Sequence, residues 1–227
     1  MEISKFLASV PLFAGLTPAQ YDELAMIATQ QTVPRGQAIF AEGDPGAGFY
    51  VVASGLVKIY KLSFDGKEQI LHLFGPGEPF AEAAVFTGSA YPAHAMALEE
   101  SRIFFFPRQA FIELLRVSPD LAMNMMAALS MRLKKFAHLI EDLSLREVPG
   151  RLAAHLLFLS TQQGDTDTVA LPVSKTQLAS LLGTIPETLS RMLAKMAKQG
   201  LIAVAGARIT LLDRAGLEEL AAGEKRL

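Results

Sequence analysis

The chain has 227 residues, 51% of them hydrophobic and 19% charged, with a formal net charge of −2 and no cysteine. That composition supplies packed cores for two modest domains or one large one, and it argues against a disordered chain. Without cysteine, disulfides, thiolate zinc sites, cysteine-ligated iron–sulfur clusters and thiol redox switches are excluded, so redox sensing would need an added cofactor or ligand.

The start, Met1 to Leu12, lacks the apolar core and cleavage site of a secretory leader. The best uncharged apolar run, Leu121 to Met131, is far short of the ~20 residues that cross a bilayer. A cytoplasmic protein with no membrane partner is expected. Thr17 to Gln30 then reads as a helix, with Thr17 as N-cap, Pro18 at the first helical position and an apolar stripe of Leu24, Ile27 and Ala28. From Val33 to about Pro107 short β-rich runs (Phe49–Ala53, Leu56–Leu62, Gln69–Phe74, Arg102–Phe106) alternate with glycine turns, which predicts an antiparallel roll or barrel. Asp65-Gly66 marks a hairpin, read as a type I′ turn.

Between Pro119 and Leu145 there is neither Gly nor Pro after the first residue. Met126, Leu129, Leu133, Phe136, Ile140 and Leu143 step by three and four in alternation, an a/d seam flanked by Arg132, Lys134, Lys135, Glu141 and Asp142. A dimerisation helix is predicted; the alternative is a core helix lying on its own domain. Val148-Pro149-Gly150 is read as the break after it. A helix from Arg151 to Gln162, a polar loop from Gly164 to Thr168 and a strand from Val169 to Val173 follow. The domains are therefore expected at 1–118, 119–147 and 148–227.

The segment Ser174 to Gly200 carries the function. Ser174 and Gln177 have capping-box spacing, Leu178, Leu181 and Leu182 share a face, and Gly183 suits a left-handed C-cap. Thr184 and Glu187 repeat the capping-box spacing at once. The second helix then buries Leu189, Leu193 and Met196 and presents Glu187, Ser190, Arg191, Lys195 and Lys198. Helix, glycine turn, helix is a helix-turn-helix, with the second helix in the major groove of double-stranded DNA. Arg191 can donate two bonds to guanine and Glu187 can accept from cytosine, with Ser190 beside them. The plainer alternatives are that Glu187 only caps and that Arg191 only solvates the helix. Lys175, Thr176, Gln177 and Thr184 complete the expected DNA-contacting set. Leu201 to Leu212, with Ala205-Gly206 near its turn, reads as a β-hairpin wing. Charge agrees only mildly: from Arg146 onward ten Lys or Arg face eight Asp or Glu, against eleven and fifteen before it.

Pro11-Leu12-Phe13 through Leu16, Pro34-Arg35-Gly36, Glu42-Gly43-Asp44-Pro45, Phe49-Tyr50, Ser54-Gly55 and Val57-Lys58-Ile59-Tyr60 occur in that order. Asp65-Gly66 with Glu68-Gln69-Ile70-Leu71, Gly75-Pro76-Gly77-Glu78 and Glu187 to Arg191 follow them. Together they resemble the cyclic-AMP receptor protein/FNR family over nearly the whole chain. The resemblance implies an α+β protein: an N-terminal antiparallel β-roll of the cyclic-nucleotide-binding type, a long dimerisation helix and a C-terminal winged helix-turn-helix. It implies a homodimeric transcription regulator, not an enzyme, acting with RNA polymerase on a two-fold symmetric promoter site and switched by a small effector. No Gly-rich phosphate loop, nucleophile elbow or zinc spacing supports an enzyme instead.

The departures narrow the effector. Cyclic-AMP binders of the family hold the phosphate with an Arg-Ser pair; here the stretch reads Ala81-Glu82 and then Pro92-Ala93, with no arginine nearby. Positions on the long helix that hold the adenine align with Phe136 and Ala137. Cyclic AMP is therefore not expected, and neither is an iron–sulfur cluster. The predicted pocket is largely apolar: Leu71, Leu73, Phe80, Glu82, Phe86, Leu133, Phe136 and Ala137, with Glu82 as a single carboxylate lacking a partner. A member without cysteine or that arginine resembles the haem-based nitric-oxide-sensing branch, the regulators of denitrification and of hybrid-cluster protein. Haem b with nitric oxide is the effector so implied, with His72 and His138 as candidate axial ligands; another small organic effector is the alternative.

Overall fold

The computed structural model describes residues 3–225 and 227. Two compact units divide within the long helix, Met1–Lys134 and Lys135–Leu227. The first begins with α1 (Ile3–Ala8), a 3₁₀ turn (Pro11–Phe13) and α2 (Pro18–Ile27). Thr17 caps α2 in a full capping box with Gln20, as its spacing implies. The helix ends earlier than expected, because Gln30 already belongs to a strand.

The strands are β1 (Thr29–Val33), β2 (Ala38–Phe40), β3 (Gly48–Ser54), β4 (Val57–Leu62), β5 (Glu68–Phe74) and β6 (Pro79–Phe80). After α3 (Ala83–Thr87) come β7 (His94–Ala97) and β8 (Ser101–Pro107), then α4 (Arg108–Val117). They form two four-stranded antiparallel sheets, ordered β1-β8-β3-β6 and β2-β7-β4-β5. Strands β3 and β8 read as continuous apolar runs because both their faces are buried. Phe49, Val51, Phe104 and Phe106 point to a core shared with Leu7, Phe13, Leu24, Phe111, Leu121 and Met125. Tyr50, Val52 and Ile103, one residue out of phase, point into the roll with Phe40, Phe74, Phe80 and Tyr91. The roll interior is a ring stack: Phe40 lies 3.9 Å from Tyr91, and Tyr50 5.1 Å from Phe80.

The β4–β5 turn corrects the type I′ reading. Gly66 donates to Ser63 O at 2.9 Å and has φ +80°, while Asp65 keeps a negative φ. A type I turn followed by a left-handed glycine closes this hairpin instead, an arrangement that needs only one residue of positive φ.

Helix α5 runs from Pro119 to Leu145, 27 residues without a break. Leu121 and Met125 are buried in the first unit, whereas Met126, Leu133, Phe136 and Ile140 are exposed. Leu129 is half-buried against the first core and Leu143 is half-buried. No helix among the described residues is long and apolar enough to cross a membrane.

The second unit continues with α6 (Val148–Gln162), β9 (Thr168–Ala170), α7 (Lys175–Leu181), α8 (Pro186–Lys198), β10 (Ile202–Ala205), β11 (Arg208–Leu211) and α9 (Arg214–Ala222). The expected break at Val148-Pro149-Gly150 is displaced: Glu147 is the N-cap of α6, and Pro149 sits in its first turn, where its fixed φ and missing N–H cost nothing. Gly150 is buried inside the helix, and a Cβ there would lie 3.0 Å from the carbonyl oxygen of Leu220 in α9. The wing sheet has the order β10-β11-β9, so the strand expected at 169–173 is shorter and pairs with the hairpin.

Candidate functional site

The helix-turn-helix is built by local hydrogen bonds. Ser174 Oγ accepts from Gln177 N at 3.3 Å, and Gln177 Oε1 accepts from Ser174 N at 3.0 Å, the capping box expected. At the other end of α7, Gly183 has φ +65° and Thr184 N donates to Ala179 O at 2.9 Å, a Schellman turn. This use of Thr184 overturns its assignment as the next N-cap. Ile185 occupies the N-cap of α8 without a side-chain cap, and Pro186 begins the helix.

On α8, Leu189, Leu193 and Met196 are buried, while Glu187, Ser190, Arg191, Lys195 and Lys198 are exposed, as expected from spacing. Glu187 lies in the first turn, where the helix dipole favours its charge. Arg191 Nη2 donates to Thr188 Oγ1 at 3.1 Å, which steadies the guanidinium without burying it. Lys175 and Thr176 are exposed on α7; Gln177 and Thr184 are half-buried and already engaged in the turn.

Beneath this face lies a residue the sequence reading missed. Arg151 in α6 donates through Nε to Leu182 O at 2.8 Å and through Nη1 to Arg146 O at 2.7 Å. Its only sequence signal is its place just after the break.

In the roll, Leu71 and Leu73 are half-buried, Phe80 is fully buried in the ring stack, and Phe86 and Leu133 are exposed. Phe136 and Ala137, also expected in the pocket, are exposed and belong to the second unit. The polar chemistry departs from expectation. Glu82, 1% exposed, is not without a partner: Arg132 of α5 places Nη1 at 2.5 Å from Glu82 Oε1. Arg132 also donates to Pro79 O at 2.7 Å and lies 4.7 Å over the Phe74 ring. Apart from the ionic contact, neither Glu82 oxygen accepts a hydrogen bond among the described residues. Burial holds this carboxyl above the usual carboxylate range, with Arg132 opposing the shift. Ala81, just before it, is held at φ +66°, a left-handed conformation that an alanine seldom adopts.

The reading of no arginine near the phosphate-binding stretch is thus corrected, and a lysine stands there too. Arg132 stands against Glu82, and Lys61 donates to Pro92 O at 3.1 Å while pairing with Glu42 at 2.5 Å. Both cations are already matched by a carboxylate. Of the haem-ligand candidates, His72 on β5 sets its ring edge-on against Phe74 at 4.6 Å, and His138 on α5 lies 3.6 Å from Glu141.

Residues 30–118 match the family model of the cyclic nucleotide-binding domain, and residues 150–220 that of the Crp-like helix-turn-helix domain. The chain is 33% identical to the cyclic AMP receptor protein of Thermus thermophilus, covering 94% of this chain and 97% of the relative. It is 30% identical to the CRP-like cAMP-activated global transcriptional regulator of Mycobacterium tuberculosis, over 93% and 96%. Among solved structures, FixK2 from Bradyrhizobium japonicum superposes with a TM-score of 0.76 at 26% identity, over 86% of this chain and 97% of that one. With both domains matched in order and such identity over almost its full length, the chain belongs to the CRP/FNR family of transcription regulators.

Proposed function

We propose that this regulator is a homodimer that reads a two-fold symmetric site in double-stranded DNA, acts there with RNA polymerase, and is switched by a small effector in its β-roll. The observation that carries the reading is the exposed trio Glu187, Ser190 and Arg191 on the N-terminal half of α8, above a face buried through Leu189, Leu193 and Met196. A half-site with a G·C pair beside an A·T pair suits this trio. The dimer reading rests on Met126, Leu133, Phe136 and Ile140, apolar side chains left exposed along one stripe of α5. Phe136→Glu places a charge in that seam, and light scattering should then report a monomer; a dimer as tight as the parent would remove the seam from the argument.

The effector is neither cyclic AMP nor an iron–sulfur cluster. Against cyclic AMP stand Pro92 and Ala93, and the pairing of Arg132 and Lys61 with Glu82 and Glu42, which leaves neither cation to neutralise a phosphate. Calorimetry showing micromolar affinity for cyclic AMP would overturn that reading. The geometry favours a small polar organic effector, because the buried Glu82 carboxylate is met by Arg132 on Oε1 and keeps lone pairs that a ligand hydroxyl or amine can satisfy. The second reading, haem b binding nitric oxide, rests on the lack of cysteine and on the family branch the sequence resembles. His72 or His138 would hold the iron; His138 is 65% exposed to water and belongs to the second unit, and His72 packs edge-on against Phe74, so the donor set fits an apolar haem slot poorly and no step is derived through it. A Soret band that saturates with added haem and changes in His72→Ala or His138→Ala supports this second reading, and no saturable band removes it.

A further inference from the structure

We infer that Arg151 is the positioning residue that fixes the helix-turn-helix against the end of the long helix, and thereby sets the half-site spacing the dimer accepts. The inference rests on the DNA-reading dimer proposed above. The last carbonyls of a helix have no partner within it and carry the negative end of its dipole. Arg146 O lies just past the end of α5, and Leu182 O belongs to the C-cap of α7, at the corner between the two helices of the motif. One guanidinium, rooted in the first turn of α6, donates to both, at 2.7 and 2.8 Å. Asp142 and Leu143 carbonyls stand at the outer limit of the same fork, at 3.5 Å.

The fork is rigid and planar, so holding one carbonyl orients the group for the other. Lysine offers one compact ammonium and cannot span the two helix ends in a fixed geometry. The packing beside it is close: a Cβ at Gly150, the preceding residue, would lie 3.0 Å from Leu220 O, so the start of α6 sits tight against α9. The link spans 31 residues of sequence between Arg151 and Leu182. It ties the C-terminal end of α5, which carries the seam, to the turn that aims α8. Arg151 touches no base in this scheme; it acts through the direction in which Glu187 and Arg191 point.

A residue of this kind leaves a signature that mere stabilisation does not. The full-length wild type is measured on symmetric duplexes with half-site centres about one helical turn apart, and on the same duplexes lengthened by two base pairs. The wild type should lose about tenfold in affinity on the lengthened site, whereas Arg151→Gln should lose about threefold or less. Its affinity for random DNA should stay within about twofold of wild type, since phosphate attraction is untouched. Arg151→Lys, which keeps the charge, should lose the spacing preference too, and it carries the test if Arg151→Gln does not fold. Hydrogen exchange on the same DNA-free samples should show faster exchange in the α7–α8 turn and around Arg146, with the buried part of α8 unchanged. A spacing penalty kept in full by the variants overturns the inference. A wild type that binds no DNA overturns the proposed function instead, and unaltered exchange would then reject the Arg151 link as well.

Discussion

The roll and the winged helix place their candidate functional groups on opposite sides of the surface. On α8, Glu187, Ser190 and Arg191 are exposed, and the core below them is Leu189, Leu193 and Met196. In the roll, Glu82 is inside, 1% exposed next to a ring stack and a left-handed alanine, and its partner Arg132 is half-buried. A DNA-reading surface must meet a large, strongly hydrated partner, so its donors stay in water until binding. A site for a small ligand must replace water around that ligand, so its polar groups are desolvated in advance. The first arrangement costs the fold little; the second places strain and an under-bonded charge where ligand chemistry can act on them.

The largest effect that would break this contrast is in the roll. Arg132→Ala leaves Glu82 buried and unpaired, and should destabilise the first unit by about 3–5 kcal/mol at neutral pH in denaturant unfolding. Because burial already holds Glu82 above the usual carboxylate range, protonation offers relief, and the loss should shrink as pH falls. A loss under about 1 kcal/mol would put the pair in the class of surface bridges and end the comparison.

The winged-helix core offers a sharper version. His155 in α6 is half-buried, its Nε2 shielded from water with no partner among the described residues, and this desolvation pushes it down to about 4. Its folded value lies below the unfolded one of about 6.5, so the neutral ring is the folded form. Stability is full above pH ~6.5 and is lost as pH falls toward about 4, on the order of 3 kcal/mol when fully developed. His155→Phe should flatten that part of the pH–stability curve; a variant with the parent's slope would show that other groups carry it.

The smallest effects lie on the exposed face, where stability should not move at all. Arg191→Ala should cost about 1–3 kcal/mol per half-site and relax preference at the guanine. Lys195→Ala should weaken all sequences alike and lower the salt slope by about one. If Arg191→Ala weakens specific and random DNA equally, Arg191 is not the reader and α8 docks differently.

Which parts were legible follows from the range of the interactions. The Ser174–Gln177 box, the Gly183 cap and the Thr17 start are set by residues within one turn, and all three stand as read. The same locality misled at Thr184: its spacing to Glu187 suits a cap, but Pro186 fixes the start of α8 and the Schellman turn takes the Thr184 N–H. Strands β2 and β7 are too short, at three and four residues, to show alternation, and they escaped notice. Arg132 read as a polar flank of the seam because its partners, Phe74, Pro79 and Glu82, come from distant strands and loops. Arg151 escaped for the same reason: its acceptors are backbone carbonyls, which no side-chain pattern reveals.

The unbroken run of α5 has a mechanical meaning. Twenty-seven residues without an internal glycine or proline make a rod ~40 Å long, free of the usual causes of a kink. Arg132, held by Glu82 and the Pro79 carbonyl, is fixed in angle relative to the other side chains of the same helix, because each residue turns it by about 100°.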